Sequence, residues 1–357
     1  MIESVLSRYG IPDDSLVQPL VSGLINHTWK VSSGEESYIL QRINDHVFKQ
    51  PYQLVENIQM INEYLTRHAE GYLFVAPLTT INGDTIVSNN EGYFRLFRFV
   101  QGSHTIDVVS SPEQAFEASQ QFGKFTRLLS GFQAKKLHTT IPDFHNLTLR
   151  YKQFEDAVRH GNPVRVRQAA TLIGAIKEHV HILNEYEAIR KSTYAKQRVI
   201  HHDTKISNVL FDDHGKGMCV IDLDTVMPGY FISDVGDMLR TYLSPANEEE
   251  KDFDKIEVRD EFFQAIVQGY LVNMGEELTS EEKGLLLYAG MFLIYMQAIR
   301  FLADFCNNDI YYGARYEDHN LVRAGNQVEL LHRLEEKKEK LLAIVAAEFK
   351  TGNYVKS

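Results

Sequence analysis

Cysteine is nearly missing from this sequence: Cys219 and Cys306 are the two copies, each inside an apolar run. Two isolated cysteines make neither a disulfide framework nor a thiolate metal cluster, and a reducing compartment is the simpler setting. Positive charge is also in deficit, with 37 Lys and Arg against 48 Asp and Glu and a formal net charge of −11. Binding to a nucleic-acid backbone needs a basic face, so this balance argues against such a partner, and any phosphate site must be built locally. Apolar runs stop short of membrane length. The greasiest, "LLLYAGMFLIYMQAI", is interrupted by Gly290 and gives way to Arg300 and Asp304, which reads as a buried helix. The opening "MIESVLSRYG" has no basic patch followed by an apolar core, so it is not read as a signal peptide, and the expected setting is the cytoplasm, as a monomer.

What is present is globular material, 44% hydrophobic and 24% charged over 357 residues, enough for a small lobe and a large one. Up to about residue 101 the texture mixes strand and helix. "LINHTWKV" and "SYILQRI" are β-rich runs around the turn cluster "SSGEE"; "GYLFVAPL", "TIVSN" and "GYFRLFRFVQG" read as further strands. Between them, Pro51 opens a segment with Leu54, Ile58, Ile61 and Leu65 at helical spacing. After Gly102 the pattern turns helical. "SPEQAFEASQQFGKFTRLLSGF" starts at Ser111 and Pro112, and "RVRQAATLIGAIKEHVHILNEYEAI" reads as one long helix. The expected organisation is α+β, with a β-rich lobe over 1–101 and a mostly helical lobe over 102–357.

The densest chemistry lies in "HHDTKISNVLFDDHGKGMCVIDLDT", residues 201–225. His201, Asp203, Lys205 and Asn208 fall on a loop ending in a strand. "DDHGKG" reads as a hairpin turn, and "MCVI" returns with Asp222 and Asp224 at its exit. Such a hairpin brings Asn208 beside Asp222, two hard oxygen donors suited to a Mg²⁺ that keeps its waters and grips phosphates. Asp203 is then free to take a proton from an attacking hydroxyl, and Lys205 to neutralise a transferring phosphoryl group.

The spacing His201-x-Asp203-x-Lys205-x-x-Asn208, followed by Asp222, resembles the catalytic loop and metal-binding Asp of protein-kinase-like phosphotransferases. Asp222 is followed by "LDTVMPGYFISDVGDM" rather than Phe-Gly, with no long activation segment. That departure looks like the aminoglycoside phosphotransferase and choline kinase branch, and most like its N-acetylhexosamine 1-kinase group. The resemblance implies a two-lobed kinase-like fold and transfer from ATP to the anomeric hydroxyl of an N-acetylhexosamine. It also implies a phosphate-covering loop over 22–28, with Ser22, Gly23, Asn26 and His27, and a hinge at Phe99, Val100 and Gln101 that binds adenine.

The family's nucleotide-binding cation lies on the third strand, where "YILQRIN" offers Gln41 and then Arg42. Neighbours on a strand face opposite ways, so either Gln41 has replaced the cation or a bulge turns Arg42 inward; the second is the expectation, with Glu56 as its helix partner. "SDVGDMLR" starts a helix with Ser233 at its cap, and Asp234, with His201, is expected to order the catalytic loop. Asp224 is open to a second metal bond, a substrate contact or loop capping; its place at the cleft mouth suits sharing acceptor hydroxyls. In the last lobe Gln297, Arg300 and Asp304 share a helix face, and Tyr311 joins them if the helix continues. Arg300, Asp304 and Tyr311 form the expected acceptor wall. Other acceptors (an aminoglycoside, choline, homoserine) or a nucleotide-binding module without turnover are the alternatives.

Overall fold

The computed structural model of the chain describes residues 2–20 and 25–351. The small lobe begins with helix α1 (Ile2–Leu6) and is built on five antiparallel strands. These are β1 (Leu16–Leu20), β2 (His27–Ser33), β3 (Glu36–Ile43), β4 (Val87–Asn89) and β5 (Gly92–Arg98), in the spatial order β1-β2-β3-β5-β4. Alternation along the strands divides the sheet into two faces. Val31, Leu40, Phe94 and Leu96 point one way and form an apolar cluster with Val5 and Leu6 of α1. The opposite face carries the cross-strand row Thr28, Gln41, Arg95 and, beside it, Lys30, Ile39, Phe97. This second face looks toward the large lobe.

Helix α2 (Pro51–His68) fills the expected span, with Pro in its first turn and Leu54, Ile58, Ile61 and Leu65 buried. "GYLFVAPL" is not a strand; it makes a single bridge, Pro77 to Phe97. Pro77 has no N–H to donate, so a ladder cannot extend through it. The connection to the large lobe is short. Phe99 N–H donates to the Ser37 carbonyl at 2.9 Å, and Ser103 Oγ donates to the Val100 carbonyl at 2.7 Å. Gly102 takes φ +68°, and His104 exchanges two 2.9 Å backbone bonds with Phe211.

The large lobe opens with α3 (Pro112–Leu128), capped as expected by Ser111 Oγ accepting from Gln114 N–H, and α4 (Leu147–His160). The single helix expected over 165–189 is three: α5 (Pro163–Gln168), α6 (Ala170–Glu178) and α7 (His181–Lys191). Apolar residues stay in phase across the breaks, so periodicity does not reveal them. At the second break the His179 ring turns to the Ala175 carbonyl (2.7 Å) and to Glu335 (2.9 Å). Two small sheets follow. One pairs β6 (Arg198–Ile200) with β9 (Met227–Gly229), and the other pairs β7 (Val209–Phe211) with β8 (Gly217–Val220). The rest is helical: α8 (Ile232–Tyr242), α9 (Asp260–Met274), α10 (Ser280–Lys283), α11 (Leu286–Cys306), α12 (His319–Glu336) and α13 (Lys338–Thr351).

Helix α11 is long and apolar enough to cross a membrane, but 89% of its most apolar stretch is buried inside the fold. It is the spine of the large lobe. Helix α8 crosses it at Gly236, where a Cβ would stand 2.3 Å from the Ala289 carbonyl oxygen. Only glycine admits that approach. The crossing fixes the helix carrying Asp234 and Asp237 against the helix carrying Arg300.

Candidate active site

Residues 201–208 follow β6 directly, and their backbone is tied down from below. Asp234 accepts from His201 N–H (3.1 Å) and His202 N–H (2.7 Å), and Asp237 accepts from Thr204 N–H at 2.8 Å. Thr204 Oγ1 donates to the Asp234 carbonyl, Tyr242 donates to the Thr204 carbonyl, and Thr225 donates to the His201 carbonyl. Ser233 does not cap α8: the helix starts one residue earlier, with Phe231 at the cap. The acids of its first turns serve the loop instead. Burial, only partly offset by His201 and these amides, pushes the Asp234 carboxyl up to about 6. His201 is fully buried; its Nε2 donates to the Ile221 carbonyl at 2.9 Å, which leaves Nδ1 to accept from Asp203 N–H. His202 sits at φ +67° with its ring against Gly229.

This scaffold presents Asp203, Lys205 and Asn208 together. Lys205 Nζ is 3.1 Å from Asp203 Oδ2, and Asn208 Nδ2 donates to the same oxygen at 2.9 Å and to the Asp203 carbonyl at 2.8 Å. Burial works to raise the Asp203 carboxyl, but Lys205, His201 and Asn208 outweigh it and hold the group below the usual carboxylate range. The β7–β8 hairpin forms as expected, and Asn208 accepts from Ile221 N–H at 2.8 Å, which places it beside Asp222. Asp222 adopts φ +59° and opens onto the cleft floor. The surrounding protein, then Asp224 and Asp203, push its carboxyl up to about 7.

Among the described residues no donor bonds the Asp222 carboxylate or Asn208 Oδ1, and no three His, Cys, Asp or Glu side chains converge as a metal cluster. One carboxylate and one amide oxygen, with other carboxylates close by, fit a Mg²⁺ that shares its coordination with water and phosphate.

Asp224 does not face the acceptor wall. Its Oδ1 forms an ion pair with Arg95 Nη1 at 2.6 Å, and its Oδ2 accepts from Asn26 Nδ2 at 2.7 Å. Gln41 Oε1 accepts from Arg95 Nε (3.1 Å) and Nη2 (2.8 Å). The β3 pairing runs without a bulge, so Gln41 faces the cleft while Arg42 is exposed on the far face beside Gly92. The expected inward turn of Arg42 is therefore not found, and Glu56 pairs with His138 at 2.9 Å instead. Arg95 was missed. Its signal was the alternation in "YFRLFRF", which puts Arg95 on the face opposite Phe94 and Leu96. Ser22 and Gly23 lie outside the described residues. Asn26 is buried against Asp224 and His27 starts β2. At the hinge, Lys30 Nζ stands 4.4 Å from the Phe99 ring centre, and Gln101 N–H has no partner among the described residues.

The residues expected to form an acceptor wall are only partly brought together. Helix α11 ends at Cys306, so Tyr311 sits on a loop, 69% exposed. Asp304 turns away from Arg300 and accepts from Tyr311 N–H (2.8 Å) and Tyr312 N–H (2.9 Å), folding that loop back over the helix end. No carboxylate pairs with Arg300 among the described residues. Its guanidinium carbon lies 5.4 to 5.8 Å from the rings of Phe144, Tyr311 and Tyr312, and Nη1 donates to Gln297 Oε1. Phe144 stacks on His145 at 4.5 Å, and His145 meets His202 edge-on at 5.2 Å. The wall thus runs continuously from Arg300 to the residue before Asp203. Burial, then His202 and Arg300, hold His145 well below its ordinary value and therefore neutral.

An Asp–Lys–Asn loop facing a second Asp, beneath a five-stranded lobe, defines a kinase-like phosphotransferase. The chain belongs to the phosphotransferase enzyme family, whose model matches residues 16–278. Solved structures of the same fold include a microcompartment-associated aminopropanol kinase (16% identity, 95% of this chain and 97% of that one, TM-score 0.59). A spectinomycin phosphotransferase solved with ADP and spectinomycin is similar at 14% identity, over 94% and 97% of the two chains, with TM-score 0.60. Choline kinase from Cryptosporidium parvum Iowa II is similar at 13% identity, over 98% and 99%, with TM-score 0.57.

Proposed function

We propose that the chain transfers the γ-phosphoryl group of ATP to the anomeric C1 hydroxyl of a free N-acetylhexosamine. The lobe over 1–101 holds the nucleotide, with adenine against the Phe99–Gln101 backbone, and the lobe over 102–357 holds the acceptor. Asp203 orients the acceptor hydroxyl and takes its proton as oxygen bonds to phosphorus and the bond to ADP breaks. Lys205 moves from Asp203 toward the transferring group and offsets its charge. Asn208 and Asp222 would hold Mg²⁺, which neutralises phosphate oxygens.

One observation carries the acceptor assignment: the wall beyond Asp203 presents Arg300 among Phe144, Tyr311 and Tyr312, with no carboxylate paired to Arg300 among the described residues. An ammonium acceptor such as choline or an aminoglycoside needs acids or an open aromatic cage. A guanidinium suits a carbonyl oxygen and hydroxyls, and aromatic rings suit the face of a sugar. The test is a panel of N-acetylglucosamine, N-acetylgalactosamine, choline, homoserine and an aminoglycoside with ATP and Mg²⁺, read by ADP release and product structure. A sugar 1-phosphate loses its reducing end and couples phosphorus to the anomeric proton. A reducing product, or turnover confined to an amine, rules the assignment out.

A further inference from the structure

We propose that Arg95 is the cation that binds the nucleotide phosphates, held on Asp224 when no nucleotide is present. The proposal rests on the reading that the chain binds ATP. A polyphosphate bound to a protein of net charge −11 needs a local positive group. In protein kinases that group is a lysine on the third strand, paired to a glutamate on the following helix. Neither half exists here. The cleft-facing residue of β3 is the neutral Gln41, and Arg42 is exposed on the other face. Helix α2 offers Glu56, which is spent on His138, and Asn57, which is buried against His138 and Val226.

Arg95 lies directly across from Gln41 in the β3–β5 register, one strand over on the same face. Gln41 binds one edge of the guanidinium through Nε and Nη2, which leaves Nη1 pointing across the cleft. Nη1 meets Asp224, two residues beyond Asp222, so the guanidinium reaches the segment where the metal and the phosphate tail would lie. Both side chains are almost wholly buried, at 1% and 2% exposure. A buried ion pair adds little net stability over apolar residues of similar size. Its value is positional: one anion can replace another on the guanidinium without leaving it unpaired. When phosphate takes Nη1, Asp224 keeps the Asn26 amide. The Lys–Glu pair of kinases is thus replaced by an Arg–Asp pair whose acid comes from the large lobe.

The test is calorimetric binding of ATP, ADP and adenosine, with EDTA present so that no metal contributes. Four proteins are compared: wild type, Arg95→Met, Asp224→Asn, and Arg95→Met with Asp224→Asn. The double variant leaves no lone buried charge, so it keeps the fold where Arg95→Met alone does not. Charged hydrogen bonds of this kind correspond to about 10–100-fold in affinity. The expected result is that loss for ATP and ADP in the double variant, with adenosine unchanged. Asp224→Asn, with the competing anion removed, should bind ADP at least as tightly as wild type. A folded double variant that binds ATP and ADP like wild type overturns the proposal, as does an equal loss for adenosine, which would mark the pair as a structural clamp. A wild-type chain that binds none of the three overturns the ATP reading itself, and Arg95 with it.

Discussion

The loop over 201–208 and the proposed acceptor wall stand side by side and are held in opposite ways. The start of the loop, at His201, His202 and Thr204, is bonded from beneath by Asp234, Asp237, Thr225 and Tyr242. Arg300 and Tyr311 are attached loosely, through one glutamine and through ring contacts on a loop held by Asp304. The difference separates two tasks. Phosphoryl transfer tolerates little positional error, and a buried, extensively hydrogen-bonded frame suits the groups proposed to perform it. Recognition needs donors that are still unsaturated when the acceptor arrives, and Arg300, proposed for that task, has no acid partner among the described residues.

Breaking the rigid half should have the larger effect. Asp222→Ala should lower kcat by about 10³-fold or more while the circular dichroism spectrum stays native; full turnover in excess Mg²⁺ would remove Asp222 from the metal site. Asp203→Asn should cost about 10²–10⁴-fold in kcat with little change in the KM for ATP, and a defect confined to KM would make Asp203 a binding group. Asp234→Ala should act on the frame itself. It leaves the His201 and His202 amides without a partner and should lower unfolding free energy by about 2–5 kcal/mol in denaturant titrations. Arg300→Ala should show the reverse signature: native stability, with the acceptor KM raised about 10–100-fold and the ATP KM unchanged. If Arg300→Ala destabilises the fold as much as Asp234→Ala, the contrast between frame and wall fails.

The smallest effect lies outside both regions. His179 is held above its ordinary value, chiefly by its hydrogen bond to Glu335, against the opposing effect of burial. A raised histidine stabilises the fold fully below its unfolded value near 6.5, and that contribution fades as pH rises through the folded value. His181 Nε2 lies 3.8 Å from the same carboxylate. His179→Gln should therefore lower the melting temperature more at about pH 5.5 than at about pH 8.5. A gap that does not change with pH would show that the hydrogen bond works without the charge.

The grouping of the loop residues was legible because it is local. His201, Asp203, Lys205 and Asn208 lie within one short stretch, and a two-strand hairpin returns Asp222 to them. The change from a β-rich to a mostly helical chain was legible as a change of period. Less could be read where a group is supplied from another element. Arg42 looked right by its neighbours in the chain, but strand alternation turns it outward, and Arg95 arrives from the next strand through a register the sequence does not display. Tyr311 looked right by helical counting, but α11 stops at Cys306. Phe144 and His145 carried no motif at all and reach the site only because the segment before α4 passes beside residue 202.

The short crossing between the lobes sets how the molecule can flex. Phe99 is pinned to the small sheet through Ser37, and His104 is pinned to the β7–β8 hairpin by two bonds to Phe211. Residues 100–103 are the slack between those anchors, and Gly102 gives them the one left-handed kink. Any rocking of the small lobe pivots on these backbone torsions and swings Arg95 and Asn26 as a lever, away from or onto Asp224. Parting the lobes therefore breaks the contacts of Arg95 and Asn26 with Asp224 at the far end of the lever first.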